Sequence, residues 1–166
     1  EDLPTYCERM LDIQVSGLVK RMTYAGLDHC VVGISGGVDS TLTVMICAEA
    51  VKRMGLPSTN VVACTLPCFG TSSRTKSNAI IVAEQVGAEV RVIDIANKVN
   101  GLDVGTEDLS EFVDGWCTYN GDHTSMYDVN MGLTKTQVRA GVRYIAQHTE
   151  DKVLADALWD VLDCPV

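Results

Sequence analysis

The hydrophobic positions along the chain change their spacing several times, and each change marks the boundary of a predicted element. Between residues 4 and 24, apolar side chains recur on one helical face, which predicts an amphipathic helix ended by Gly26. At 29–34 the apolar residues become nearly continuous, as they do in a buried parallel strand. A second helix is predicted over 40–54, with Gly55 in the position of a C-terminal cap.

The same alternation continues further along the chain. A β-branched run predicts a strand over 60–66, helical spacing predicts a helix over 75–86, and another strand is predicted at 89–95. Strands that alternate with helices over short connections predict an α/β fold, a parallel sheet with helices on both faces. Two more helices are predicted near the C-terminal end, at 134–148 and 151–162.

A fourth strand is predicted at 102–105, but the connection that leads to it is short. A parallel crossover normally takes a dozen or more residues, usually with a helix among them, and only 96–101 separate this strand from the third. Either the fourth strand is not a parallel neighbour of the third, or residues are missing near Ile95 and Ala96. We favour missing residues. The stretch 106–130 is long for a connection and is typical of a lid or a binding loop.

Composition narrows the possible classes of protein. The chain has 166 residues, of which 46% are hydrophobic, and this suits one compact domain. Its formal net charge of -9 argues against a broad nucleic-acid or membrane surface. The seven cysteines include no Cys-x-x-Cys pair and are predicted to be core thiols of a reducing compartment. We therefore expect a cytoplasmic protein that binds neither nucleic acid nor membrane.

The strongest candidate chemistry lies between the first strand and the next helix, at Ser35-Gly36-Gly37-Val38-Asp39-Ser40. Two glycines allow positive φ and close approach of a ligand, and the hydroxyls and free amides of a helix N-terminus favour an anion. The turn is therefore a predicted cradle for phosphate, although it matches neither the common ATPase loop nor the dinucleotide fingerprint. Asp39 beside a phosphate indicates a bridging Mg2+. The alternative is an ordinary turn in which Asp39 caps the helix.

This turn resembles the pyrophosphate loop of the N-type ATP pyrophosphatases, which have an adenine-nucleotide alpha-hydrolase-like fold and adenylate a carbonyl oxygen. GMP synthetase, asparagine synthetase and the tRNA thiouridylases are members of the same group. Further segments narrow the resemblance to the synthetase domain of glutamine-dependent NAD synthetases. These segments are Leu66-Pro67-Cys68-Phe69-Gly70-Thr71-Ser72-Ser73-Arg74-Thr75, Gly105-Thr106-Glu107-Asp108-Leu109-Ser110-Glu111 and Gly115-Trp116-Cys117-Thr118-Tyr119-Asn120-Gly121-Asp122-His123.

The resemblance implies a role for several residues at the C-terminal ends of the strands. Asp39 and Glu111 would hold Mg2+. Thr106 would contact the adenylate part of ATP, and Lys135 would reach the ATP phosphates. The phosphates would lie on Gly33, Ile34, Ser35, Gly36, Gly37, Val38, Asp39 and Ser40. The deamido-NAD substrate would be bound by Glu111, Trp116, Cys117, Thr118 and Tyr119.

The implied reaction is ATP-dependent amidation of the nicotinate carboxylate of deamido-NAD by ammonia, which gives NAD, AMP and pyrophosphate. Asp39, Glu111 and Lys135 would be its catalytic residues and would act by orientation and charge stabilisation. In this family a nitrilase-like glutaminase domain supplies the ammonia. The synthetase domains pair as dimers, so the resemblance implies a homodimer or a higher homo-oligomer. Taken without the resemblance, Lys135 could be an ordinary solvated lysine, and Trp116 and Tyr119 could be core aromatics.

The chain also departs from the family's pattern. Residues 1–166 include no counterpart of the crossover segment expected near residues 95–96, of the C-terminal tail with its substrate-binding lysine, or of the glutaminase domain. Asp103 and Asp114 replace apolar residues of the family. Two other functions therefore stay open. The chain could be another N-type ATP pyrophosphatase of the GMP synthetase kind, or a catalytically silent nucleotide-binding fragment.

Overall fold

A computed structural model of the chain describes residues 2–64, 73–91, 101–114 and 127–164. The described helices are α1 (Leu3–Ala25), α2 (Val38–Arg53), α3 (Ser73–Gln85), α4 (Leu109–Asp114), α5 (Lys135–His148) and α6 (Lys152–Asp163). The described strands are β1 (His29–Gly33), β2 (Val61–Cys64), β3 (Glu89–Arg91), β4 (Gly101–Gly105) and β5 (Tyr127–Asp128). The predicted alternation of strands and helices is therefore confirmed.

The five strands form one parallel sheet in the order β3-β2-β1-β4-β5. In its centre, Cys30 of β1 pairs with Val61 of β2 on one side and with Leu102 of β4 on the other. The chain leaves β1 toward β2 and later returns to the opposite side of β1, so the strand order reverses between β1 and β4. Open parallel sheets bind ligands at the carboxyl ends of the strands at such a point. The ends of β1 and β4 are therefore the expected location of a site.

The placement of β4 bears on the short connection noted in the sequence. β4 is parallel but lies beside β1, so it is not a neighbour of β3. The first of the two interpretations, that the third and fourth strands are not adjacent, therefore describes the sheet. β3 and β4 are nevertheless parallel strands of one sheet, so their connection must cross from the carboxyl end of β3 to the amino end of β4. Such a crossover normally takes a dozen or more residues, and only residues 92–100 join the two strands. Residues 92–100 lie outside the described part of the chain, and the missing segment near Ile95 and Ala96 stays a prediction.

The core forms between one face of the sheet and the helices. Cys30 and Val32 of β1 and Leu102 of β4 point into it and are no more than 2% exposed. Because side chains alternate along a strand, Val31 and Val62 point to the opposite face, where they are only 5% and 1% exposed. Both faces of the sheet are therefore covered, and the predicted fold class is confirmed.

Three smaller findings complete the fold. Although residues 106–130 show no periodic pattern in the sequence, their described parts contain α4 and the two-residue strand β5. Cys7, Cys30 and Cys47 are buried free thiols, as predicted for core cysteines. None of the helices in the described ranges combines the length and the apolar character needed to span a membrane.

Candidate active site

The turn between β1 and α2 owes its shape to one glycine in particular. Gly36 has a φ of +85°, in the left-handed region that side chains disfavour. Gly37 has a φ of -78° and is the N-cap residue of α2. A Cβ atom at Gly37 would lie 3.3 Å from Ser35 Oγ, so space limits this position more than conformation does. The positive φ that the sequence suggested for both glycines is therefore used by Gly36 alone.

Hydroxyl groups hold this turn in place. The main-chain amide of Ser35 donates to Ser40 Oγ at 3.2 Å, and the two serine hydroxyl oxygens lie 3.1 Å apart. The Ser40 hydroxyl donates to the carbonyl of Gly37 at 3.2 Å, and the Gly37 amide donates to Ser35 Oγ at the same distance. The side chains of Ile34 and Val38 are buried in the core, so these residues offer a ligand only their main chain.

Three carboxylates meet a single ammonium beside the turn. Asp39 lies in the first turn of α2, Asp108 precedes α4, and Glu111 lies within α4. One oxygen of each lies within 4.8 Å of the others. Lys135 Nζ lies 2.7 Å from Asp39 Oδ2, 3.0 Å from Asp108 Oδ2 and 3.0 Å from Glu111 Oε1. Three negative charges and one positive charge leave the group with two formal negative charges in excess.

Local hydrogen bonds explain why these groups converge. The Glu111 amide donates to Asp108 Oδ1 at 3.0 Å, and the Asp108 amide donates to Glu111 Oε2 at 3.3 Å. This reciprocal pair is a capping box that starts α4. α5 begins at Lys135 after a second capping box at Thr134, and the Lys135 amide donates to Ser110 Oγ at 3.2 Å. The starts of α4 and α5 are thereby tied together, which brings the ammonium to the carboxylates.

Sequence reasoning missed Asp108 as a member of the site. Its side chain is 0% exposed, against 16% for Asp39 and 32% for Glu111. The available signal was the spacing of Asp108 and Glu111, which is that of a capping box at a helix start. Such a box places both carboxylates on the same side of the first turn. This capping-box spacing would have added Asp108 to Asp39 and Glu111, the two carboxylates predicted to hold Mg2+.

Burial and charge act differently on the ionisable groups. Burial raises the pKa of Asp39 to about 6, with help from the charges of Glu111 and Asp108 and against the effect of Lys135. Burial also opposes ionisation of Asp108, but the Glu111 amide and Lys135 outweigh it and hold that pKa below its ordinary value. For Lys135, burial is outweighed by its three carboxylate partners, which raise the pKa of the ammonium.

The donor set suits a hard divalent cation. Mg2+ binds carboxylate oxygens, and three carboxylates offer one oxygen each within 4.8 Å of the others. Asp39 Oδ1 is buried and accepts no hydrogen bond from the described residues, so it keeps lone pairs for another partner. The residues present therefore fit a magnesium ion. The structure brings Asp39, Glu111 and Lys135 together, as the sequence predicted, and adds Asp108 to them.

Other predicted residues lie at the same edge of the sheet or outside the described chain. Gly33 ends β1, and Thr106 follows β4 directly. The contact predicted between Thr106 and the adenylate part of ATP stays a prediction. The residues predicted to line the deamido-NAD site other than Glu111 lie outside the described part of the chain, and they are Trp116, Cys117, Thr118 and Tyr119.

The strand order and the turn at the end of β1 are those of an α/β domain with an ATP pyrophosphatase-like fold. A family model described as NAD synthase matches residues 10–100, which is more than half of the chain. The chain belongs to the NAD synthase family.

Individual relatives agree with this assignment. The glutamine-dependent NAD(+) synthetase of Mycobacterium leprae is 33% identical over 199 residues, which cover 92% of this chain and 29% of the relative. The NH(3)-dependent NAD(+) synthetase of Methanococcus aeolicus is 26% identical over 93% of this chain and 74% of the relative. A solved structure of a glutamine-dependent NAD+ synthetase from Acinetobacter baumannii, in complex with ADP, matches 93% of this chain and 35% of its own chain. The TM-score is 0.82 at 21% sequence identity, which shows a common fold.

These matches also show how much of its relatives the chain represents. It spans about 30% of the length of the mycobacterial glutamine-dependent enzymes. The alignment with the Mycobacterium leprae protein covers 199 residues, whereas this chain has 166. That relative therefore has residues within the matched region that have no counterpart here.

Proposed function

We propose that this chain is the ATP-using part of a glutamine-dependent NAD synthetase, which converts deamido-NAD, ATP and ammonia into NAD, AMP and pyrophosphate. The observation that carries the proposal is the meeting of the glycine turn with Asp39, Asp108, Glu111 and Lys135 at one edge of the sheet. Membership of the NAD synthase family supports the class of reaction. The names of the relatives support NAD as the product and glutamine or ammonia as the source of nitrogen.

In this proposal, ATP lies with its phosphates on the glycine turn. The turn leads into α2, a helix of 16 residues whose free N-terminal amides and dipole favour an anion. Phosphate contacts would come from residues 33–40 and from Lys135, and Thr106 would face the adenylate part. The ADP bound to the Acinetobacter baumannii protein supports an adenine nucleotide as the ligand.

Asp39 and Glu111 would hold Mg2+, with Asp108 as a third carboxylate beside them. The ion would neutralise phosphate charge while ATP is bound. In the structure the ammonium of Lys135 pairs with all three carboxylates and offsets one of their three charges. Once a divalent cation binds the carboxylates, the ammonium of Lys135 can turn to the phosphate oxygens. The same lysine would thus serve the site both before and after the nucleotide arrives.

The chemistry then needs orientation rather than a protein nucleophile. An oxygen of the nicotinate carboxylate attacks the α-phosphorus of ATP, the bond to the bridging oxygen breaks, and pyrophosphate leaves. The nitrogen of ammonia attacks the carbonyl carbon of the resulting adenylate, AMP leaves, and the nitrogen loses a proton. Lys135 would stabilise the charge that develops on pyrophosphate, and the fixed main-chain amides around Gly36 would hold it in line.

The remaining assignments concern the rest of the enzyme. Deamido-NAD would be bound by Glu111 and by residues 116–119. Ammonia would come from a nitrilase-like glutaminase domain. The names of the mycobacterial relatives support glutamine as the source of nitrogen. The NH(3)-dependent relatives show that both modes of nitrogen supply occur among the matched proteins. We further propose that the synthetase domains form a homodimer or a higher homo-oligomer.

The test is isotope exchange between ATP and pyrophosphate, followed with and without deamido-NAD. We expect exchange that requires both deamido-NAD and Mg2+, and that is lost in Lys135→Met. The matched control is Lys52→Met, because Lys52 is an exposed lysine that pairs with Glu49 toward the other end of α2. Exchange that requires a purine nucleotide or a tRNA in place of deamido-NAD would indicate another ATP pyrophosphatase. ATP binding without any exchange would indicate a catalytically silent nucleotide-binding domain.

A further inference from the structure

A fully buried asparagine lies directly behind the candidate site. Asn130 is 0% exposed and follows β5 by two residues. Its Nδ2 atom lies 3.2 Å from the carbonyl of Asp39, 3.1 Å from Thr43 Oγ1 and 3.4 Å from the carbonyl of Thr106. Two of these partners are main-chain carbonyls, which can only accept, so the amide must present its nitrogen to them. Its two hydrogens are shared among three acceptors.

The other end of the same side chain is anchored to α1. Asn130 Oδ1 accepts a hydrogen bond from Gln14 Nε2 at 2.9 Å, and this Nε2 also donates to the carbonyl of Val129 at 3.0 Å. Gln14 is only 7% exposed, so the chain of hydrogen bonds is shielded from water. The carbonyl of Asn130 in turn accepts from the amide of Leu133 at 2.8 Å, two residues before Lys135.

We infer that Asn130 is a positioning residue for the metal and nucleotide site, an inference that rests on the proposed function. One amide holds the main chain of Asp39 on α2 and the main chain of Thr106 at the end of β4. Asp108 and Glu111 follow Thr106 by two and five residues. The bridge therefore fixes the separation between the Asp39 carboxylate and the other two. Asn130 acts through these residues, because its own side chain is buried.

The chemistry of the bridge explains why an amide stands there. The carboxylate group has two formal negative charges in excess, and these charges tend to push the two halves of the site apart. A neutral donor can hold the halves together without taking the place of a cation. An aspartate at this position would confront two carbonyls and add a fourth negative charge. An apolar side chain would leave buried carbonyls without this partner, which is costly in a protein interior.

The test measures MgATP binding by calorimetry at several Mg2+ concentrations, together with thermal unfolding, for wild type, three variants and one control variant. For Asn130→Ala we expect an affinity at least about tenfold weaker and a higher Mg2+ requirement, because several buried hydrogen bonds are lost. For Thr43→Val we expect a loss of about threefold, since one acceptor of the bridge is removed. Thr43→Ser keeps the hydroxyl and should bind MgATP as wild type does.

The control is Asn60→Ala. Asn60 also joins two segments through its amide, which donates to the carbonyl of Asp28 at 2.9 Å, but it precedes β2 at the opposite edge of the sheet. This variant should change thermal stability without changing the Mg2+ requirement. If Asn130→Ala binds MgATP as wild type does, the inference is overturned. If Asn130→Ala does not fold, equal binding by Thr43→Val and Thr43→Ser overturns it instead. A wild-type protein that binds no MgATP refutes the proposed function, and the inference with it.

Discussion

The glycine turn and the carboxylate cluster touch each other, but they are built in different ways. The turn is closed by uncharged groups within six residues, such as the hydroxyls of Ser35 and Ser40 at 3.1 Å. The cluster is held by charges from distant segments, and its Lys135–Asp39 pair joins residues 96 positions apart. The turn therefore needs only the junction of β1 with α2. The cluster exists only when β4, α4 and α5 have reached the same edge of the sheet.

The turn and the cluster should therefore respond differently to the solution conditions. A neutral turn with free amides can hold phosphate at any pH at which the protein is folded. A cluster of carboxylates around an ammonium depends on pH, salt and metal. Asp39 belongs to both regions, because it stands at the start of α2 and also faces Lys135. Variants of Asp39 should accordingly have the largest effects, and variants of the turn alone the smallest.

The largest effect is expected for Asp39→Asn. This change removes a charged ligand of the proposed cation, and even partners outside the first coordination shell cost about 10–100-fold in metal affinity. We therefore expect MgATP to bind at least about 100-fold more weakly, as measured by calorimetry. Asp12→Asn is the matched control, because Asp12 is an exposed carboxylate that pairs with Arg53 on α2. Unchanged binding by Asp39→Asn would show that the cluster does not hold the cation.

The second effect concerns stability and pH, without metal or nucleotide. The pKa of Asp39 is raised from 3.8 to about 6 in the folded protein, so the folded state holds a proton that the unfolded state releases. The stability that this proton provides is complete below about pH 4 and is lost as pH rises through 6. The loss amounts to roughly 2 kcal/mol. Urea unfolding at pH 4 and pH 8 should show this loss of stability in wild type and not in Asp39→Asn. If the free energy of unfolding depends on pH in the same way in both proteins, the prediction is wrong.

A smaller effect is expected when the ammonium is removed from the cluster. Lys135→Met leaves three carboxylates without their cation, so free Mn2+ should bind more tightly in the absence of nucleotide. A gain of about tenfold corresponds to 1.4 kcal/mol, which is of the order of a few screened charge pairs at this distance. Electron paramagnetic resonance of Mn2+ measures it directly. Lys52→Met should bind Mn2+ as wild type does. If Lys135→Met shows no gain, or if Lys52→Met shows the same gain, the ammonium of Lys135 does not occupy the cation's position.

The same contrast explains what the sequence could predict. The strands, the helices and the glycine turn follow from patterns within a few residues, and those predictions are confirmed or closely matched. Asp108 and Asn130 were missed because their partners lie on other segments. The Asp108 carboxylate meets Lys135 only after β4 has paired with β1, and Asn130 finds its acceptors on α2 and after β4. No local pattern specifies such contacts, although the capping-box spacing hinted at Asp108.

The smallest effect isolates the turn from the cluster. Gly36→Ala and Gly55→Ala both place a side chain at positive φ, at +85° and +70°, and nothing lies within 4 Å of a Cβ at Gly55. Each should lower the free energy of unfolding by about 1 kcal/mol, but only Gly36→Ala should also weaken MgATP binding. In a Lys135→Met background, Gly36→Ala should leave Mn2+ binding unchanged, because Gly36 contributes no charge to the cluster. If Mn2+ and MgATP binding weaken together, the turn and the cluster form one cooperative unit.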